Sequence, residues 1–208
     1  MTIKSLNISL PFEIEYNGRT VKTGIYKRPV AERLNLEKLN IKGDGQADLS
    51  VHGGEFKAVY SYAREHYAYW QTELDRVLDW GMFGENLTTE GLDESQVFLG
   101  NQYQVGTCVL EAVQPRMPCF KLGIRFEDNS IIKKFQKSGR NGIYYRVVTE
   151  GDLQVGDTIE LVKTAADKVP VDLVADAYYG RAQKDDVKRL LDNQALSPNW
   201  REYFQERQ

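Results

Sequence analysis

Cysteine is nearly absent from this sequence: 208 residues hold two, Cys108 and Cys119. A disulfide scaffold needs more. A bridge between these two would close only the short loop VLEAVQPRMP, so both are expected as free thiols in a reducing cytoplasm. Histidine is equally scarce, with only His52 and His66. Neither pair has the close spacing of a zinc finger, and two cysteines cannot hold a four-cysteine iron–sulfur cluster. No apolar run reaches the length of about 18 residues that a membrane span requires. The first residues, MTIKSLNISLPFEIEYNG, lack the apolar stretch and small-residue cleavage site of a signal peptide. Excess charge is missing too. Lys and Arg total 27 against 30 Asp and Glu, a net charge of −3, so no overall attraction to nucleic acid or membrane is expected.

What is present describes an ordinary globular chain, 41% hydrophobic and 27% charged, long enough for a sizeable core. Most of it reads as short strands. Phe12, Ile14 and Tyr16 alternate before Asn17-Gly18, a dipeptide suited to the positive φ angles of a tight hairpin. QVFLGNQYQVGTCVLEAV predicts two strands around Gly100, and GIYYRVVTEG and LQVGDTIELVK add further β-rich runs. Many short strands with glycine turns point to a barrel or a closed, bent sheet. One helix interrupts them, with Tyr67, Trp70, Leu74, Val77 and Leu78 on a single face. The fold class expected is mainly β within α+β.

From Val169 the pattern changes. Val171, Val174, Ala177 and Tyr178 form a helical stripe ending at Gly180. KDDVKRLLDN follows with acids in its first turn. Ser197-Pro198 opens a third helix carrying Trp200, Tyr203 and Phe204. The expected organisation is a β-barrel domain over residues 1–165 and a small three-helix domain over 169–208, joined by KTAADKVP. The aromatic tail is the surface on which a homodimer is expected.

Four stretches carry groups with chemistry. In QPRMPCFKLG, Cys119 lies three residues after Arg116 and directly after Pro118, the second of two prolines that precede it. Prolines end a strand and stiffen its exit, and neighbouring cations favour the thiolate. The thiol reads as a nucleophile, a metal ligand or a packed turn residue. GDGQADLSVHGGEFKAVYSY offers Gly53 and Gly54 for close backbone approach, with His52 and Lys57 as donors. It is neither a P-loop nor a dinucleotide fingerprint. FGENLTTEG places Glu85 and Asn86 at the start of a strand, where Asn86 caps a turn or grips a polar ligand. KSGRNGIYYRVV holds Arg140 and Arg146, which with Arg116 would form an anion site if they converge.

Taken in order, TGIYKRPV, GDGQADLSVHGG, FGENLTTEGL, QPRMPCFKL and SGRNGIYYRV resemble the motifs of the MOSC domain, named after the C-terminal domain of molybdenum cofactor sulfurase. The chain is similar over its whole length to the bacterial YiiM type, a MOSC barrel followed by three helices. The resemblance implies a β-barrel with peripheral helices that binds the molybdenum cofactor, with Cys119 as the molybdenum ligand. It implies reduction of N-hydroxylated compounds such as 6-hydroxylaminopurine to amines, with electrons from a separate reductase. Asn86 and Glu85 match a segment near the metal, and Glu85 or His52 would deliver protons. Lys27, His52, Gly53, Gly54, Lys57, Arg116, Arg140 and Arg146 would bind the cofactor. Two alternatives remain: a sulfur carrier holding a persulfide on Cys119, and a cofactor-binding protein without catalysis.

Overall fold

Asn17 and Gly18 turn the chain with φ of 51° and 70°, as a type I′ hairpin requires. That hairpin belongs to a fold of twelve strands and seven α-helices, in a computed structural model that describes residues 1–92 and 94–207. In chain order, β1 is Thr2–Ile8, β2 Phe12–Tyr16, β3 Arg19–Thr23, β4 Arg28–Val30 and β5 Leu34–Leu36. The one-turn helix α1 (Leu49–His52) and a tighter turn at Glu55–Lys57 lead into β6 (Val59–Ala63) and α2 (Arg64–Leu74). There follow β7 (Leu87–Glu90), β8 (Gln102–Val105), β9 (Cys108–Pro115), α3 (Phe120–Phe126), α4 (Ser130–Ser138) and β10 (Ile143–Thr149). The chain continues through β11 (Gly151–Leu153), β12 (Ile159–Lys163), α5 (Asp172–Tyr178), α6 (Lys184–Asp192) and α7 (Pro198–Gln205).

Eight strands form one sheet in the order β12-β8-β9-β10-β6-β7-β1-β4, and β11-β5 and β2-β3 form two small ones. The mainly β class is therefore right, but the hydrogen-bonded ladder does not close into the expected barrel. The reason is that β1 is already engaged on both sides, by β7 from Thr2 to Leu6 and by β4 from Leu6 to Ile8. Its first residues meet the other end of the sheet through the isolated bridge Thr2–Thr158 and backbone bonds from Ile159 N to Met1 O at 2.8 Å, from Ile3 N to Asp157 O at 3.0 Å and from Gly156 N to Ile3 O at 3.0 Å, without forming a continuous ladder.

Several elements differ from the sequence reading. Gly100 is not the turn between strands. The β8–β9 hairpin turns at Gly106-Thr107, where a glycine φ of 56° is needed and a Cβ would clash with Asp152 O. Helix α2 stops at Leu74 because Asp75 takes a left-handed conformation, φ 48°, so Val77 lies outside it and is exposed. Helices α3 and α4 were not anticipated. They are short, although α4 carries Ile131 and Phe135 on one buried face.

Two apolar clusters fill the interior. The first is largely aliphatic and lies against β1, β8, β9 and β10, with Leu6, Leu99, Val105, Leu110 and Val147 among its members. Val169, Val171, Val174, Leu190, Leu196 and Phe204 of the C-terminal segment belong to this same cluster. Backbone bonds from Leu99 N to Val169 O and from Val171 N to Val97 O continue the contact. Packing thus runs without a break across the boundary expected near residue 168. Trp200 stacks on Phe204 and Tyr203 meets both edge-on, and Trp200 and Tyr203 also meet Tyr178, all within the chain. The second cluster is aromatic, with Tyr60, Tyr62, Tyr67, Trp70, Phe83, Phe126 and Phe135 between β6, α2, α3 and α4. Among the described residues no helix is long and apolar enough to cross a membrane.

Candidate functional site

Strand β9 ends at Pro115, and the chain leaves it through Arg116 and Pro118 to reach Cys119, the N-cap of α3. This exit forms one wall of an open cleft. The segment after β3 (Gly24, Ile25, Lys27), the loop at residues 45–47, His52 on α1 and Lys57 form others. Tyr60 at the start of β6, Asn86 before β7 and Tyr144 on β10 complete it. The lining contains Lys27, His52, Lys57, Arg116 and Lys121 and, among the described residues, neither Asp nor Glu. In a chain of net charge −3 this is a local reversal of sign, and it selects for anions.

Cys119 is partly buried, and burial by itself pushes its thiol up. The hydrogen bond from His52, the nearby Arg116 guanidinium, the imidazole and the Lys121 N–H outweigh that and lower it to about 7. A large fraction is thiolate at neutral pH. Arg116 is 6% exposed, with its guanidinium carbon 5.4 Å from the Tyr60 ring centre and 5.6 Å from that of Phe135. Its Nη1 is buried without a hydrogen-bond partner, which is costly unless a ligand supplies an acceptor.

The remaining sequence candidates separate. Lys27 lines the cleft but forms a buried ion pair with Asp44. Burial lowers its ammonium, against the pull of Asp44. Asp44 also accepts from Asn86 Nδ2 at 2.8 Å and from Ser9 N at 2.9 Å. Asn86 Oδ1 in turn accepts from Tyr60 N at 3.2 Å, so this amide braces the wall between two strands. Lys57 is half-buried and its ammonium is lowered by burial. Gly53 and Gly54 are not in the cleft lining. They flank an adjoining groove with Gln114, Ser197 and Asn199 that Lys57 shares.

Three predicted residues face elsewhere. Arg146 pairs with Glu111 at 2.7 Å across the β9–β10 register. Arg140 lies 3.8 Å over the Tyr69 ring and donates to Ser138 O. The three arginines therefore do not converge. The Glu85 carboxylate turns inward, accepting from Gly81 N at 2.9 Å, Phe83 N at 3.2 Å, Thr88 Oγ1 at 2.8 Å and the Tyr67 hydroxyl. It is fully buried and outside the lining, whereas His52 lines the cleft. Sequence reasoning missed Asp44, Tyr60 and Tyr144 as site residues. Tyr144 was within reach, because period-two alternation puts it on the face opposite Ile143, Tyr145 and Val147.

Among the described residues no group of three or more His, Cys, Asp or Glu is placed to hold a metal ion. A metal that arrives within its own chelating ligand needs only one donor from the protein, and Cys119 is a soft one. The partnerless Arg116 Nη1 and the cation-lined walls fit the phosphate of such a ligand.

The MOSC domain family matches residues 48–160, which include His52, Lys57, Asn86, Arg116, Cys119 and Tyr144. The chain is 39% identical over 204 residues to the uncharacterized protein YflK of Bacillus subtilis (strain 168), covering 98% of this chain and 92% of that one. It is 35% identical over 150 residues to a protein named reductase from Gibberella moniliformis (strain M3125 / FGSC 7600), covering 70% of this chain and 27% of that one. The crystal structure of YiiM from Geobacillus stearothermophilus superposes with a TM-score of 0.84 at 33% identity, over 99% of this chain and 98% of that one. With a domain match over more than half its length and relatives aligned nearly end to end, the chain belongs to the MOSC domain family and is a MOSC protein of the YiiM type.

Proposed function

We propose that the cleft binds the molybdenum cofactor and that the protein reduces N-hydroxylated compounds, such as 6-hydroxylaminopurine, to their amines. The observation that carries this reading is a thiol lowered to about 7 in a cleft lined by five basic side chains and, among the described residues, no carboxylate. The MOSC match and the relative named reductase support a redox role. When bound, the cofactor supplies two-electron redox chemistry at its metal.

The chain's own residues bind, orient and manage protons. Cys119 Sγ is the metal ligand, kept as thiolate by His52, Arg116 and the Lys121 N–H. Arg116 Nη1, with Lys57 and Lys121, holds the phosphate. Lys27 is neutralised by Asp44 and braces the wall with Asn86. The Tyr144 ring gives a flat substrate a face to stack on. Converting R–NHOH to R–NH₂ and water takes two electrons and two protons. The imidazole of His52 is the proton donor on the cleft wall, and a separate reductase supplies the electrons.

The test is expression in a host that makes the cofactor, metal analysis of the purified protein, and an assay with 6-hydroxylaminopurine and an artificial reductant. Stoichiometric molybdenum with turnover is expected. Cys119→Ser should lose both while keeping its melting temperature. A persulfide on Cys119 without molybdenum would replace this reading with the sulfur carrier. Bound molybdenum without turnover would leave a cofactor-binding protein.

A further inference from the structure

Gln114 places a buried amide on β9, after Cys108, Leu110 and Ala112 of the aliphatic core, and is itself 2% exposed. An amide in such a place costs free energy unless both of its ends find partners. Both do. Its Nε2 donates to Phe56 O at 3.2 Å, and its Oε1 accepts from the Ser197 hydroxyl at 2.8 Å. A carbonyl can only accept, so the amide has one orientation and the hydroxyl must donate to its other end. Ser197 stands at the N-cap of α7, where serine ordinarily accepts from a backbone N–H of the first turn, yet it makes no such bond. The helix gives up a local bond for a distant one. The two ends of the amide thus join the last helix to the turn that carries Lys57. Gln114, Ser197 and Lys57 line one groove, and Lys57 also lines the cleft.

We propose that Gln114 is a positioning residue through which α7 sets the aim of Lys57 in the cleft, a role that rests on the reading of the cationic wall as a phosphate holder. The Phe56 carbonyl and the Lys57 N–H belong to one planar peptide group. Gln114 holds that plane by its oxygen, and Gly54 O accepts from its N–H at 3.0 Å. A lysine side chain is long and flexible, so the reach of its ammonium follows from where its backbone is fixed. Ser197 holds the other end of the amide, and α7 is anchored in turn by Phe204 in the aliphatic core. Gln114 is outside the cleft lining and touches the anion only through Lys57. Arg116, two residues further along the chain, has its own backbone bond to Gly142 O at 3.4 Å, with Pro115 stiffening the link between them. Lys57 is therefore the cation that responds to the loss of Gln114. The C-terminal helices, on this account, complete the site as well as the core.

The experiment takes the full chain free of cofactor and measures its affinity for inorganic phosphate by titration calorimetry, with a melting curve for every variant. Lys57→Ala should weaken binding by about tenfold, the loss of one charged hydrogen bond. Gln114→Met keeps the length of the side chain without either hydrogen bond, and should recover none of that contact, giving a loss of the same order. Ser197→Ala leaves the bond to Phe56 O in place and should give a smaller loss in the same direction. In a Lys57→Ala background, Gln114→Met should cost nothing further, because two residues that act through one contact are not additive. A role in folding alone would lower the melting temperature in both backgrounds and leave the losses of affinity additive. Additive losses would overturn the proposal, as would parent-like affinity in both Gln114→Met and Ser197→Ala. Should Gln114→Met fail to fold, Ser197→Ala with and without Lys57→Ala supplies the same cycle. A parent chain that does not bind phosphate would overturn the phosphate reading of the wall and this proposal with it. Weakened binding in Lys57→Ala but not in Gln114→Met would overturn the positioning role alone.

Discussion

The two cysteines sit against the two different cores. Cys108, fully buried on β9 in the aliphatic cluster, has its thiol pushed up to about 11 by burial, with Asp152 and Asp157 adding to the effect. Cys119 borders the aromatic cluster, and its thiol falls to about 7 although it too is partly buried. At neutral pH Cys119 is therefore far more ionised than Cys108. Burial acts on both in the same direction. What separates them is a set of donors, His52, Arg116 and the Lys121 N–H, that only the cleft side provides. The aliphatic core holds the sheet to the C-terminal helices. The aromatic core backs a site.

The strongest way to break this division is to remove residues 169–208. If the aliphatic core is one body, the remaining sheet should unfold rather than survive as a domain. Val169, Val171, Val174, Leu190, Leu196 and Phe204 are each almost fully buried, and at about 1.5–3 kcal/mol apiece their loss matches the whole stability of a typical domain, about 5–15 kcal/mol. Circular dichroism and a melting curve decide it. A cooperative transition in the truncated chain would support the two-domain division.

On the cleft side, Arg116→Ala should weaken cofactor retention by about 1.5–3 kcal/mol, roughly ten- to a hundredfold. Arg116→Lys should recover part of the charge but not the fork. Alanine at Arg140 or Arg146 should leave retention unchanged, since both face other partners. The readout is cofactor content and dissociation rate. Equal losses at all three arginines would mean that they act together after all.

Smaller effects sharpen the contrast between the thiols. Cys108→Ser buries a hydroxyl in the aliphatic core and should lower stability by about 1–3 kcal/mol while activity persists. Denaturant melts and turnover separate the two consequences. His52→Ala removes the hydrogen bond to Cys119, so the midpoint of its alkylation-rate profile should move up from about 7 by roughly one pH unit, about 1.4 kcal/mol. A thiol whose ionisation is favoured by a donor must lose that advantage when the donor goes. An unmoved midpoint would assign the lowering to Arg116 and the Lys121 N–H.

Much of this molecule was legible before any coordinates. Asn17-Gly18 specified the first hairpin because the needed positive φ angles depend on two adjacent residues. Gly180 and Ser197-Pro198 marked helix ends for the same local reason, and α5 and α7 lie beside them. Yet Ser197 does not cap α7 with its side chain, which donates instead to Gln114 at 2.8 Å. The Cys119 stretch stood out because prolines and cations are its chain neighbours.

What only the tertiary structure decided are pairings between distant residues. Arg146 was lost to the site because strand register set it opposite Glu111, and Lys27 was neutralised because a remote loop delivered Asp44. Glu85 turned away because Tyr67, eighteen residues earlier, and the nearby backbone N–H groups captured it. Tyr60 and Tyr144 entered the cleft because β6 and β10 pair there. Local sequence determines backbone conformation through sterics that reach a few residues. The partner of a charge and the face a side chain presents depend on which segments fold together, and those contacts span most of the chain.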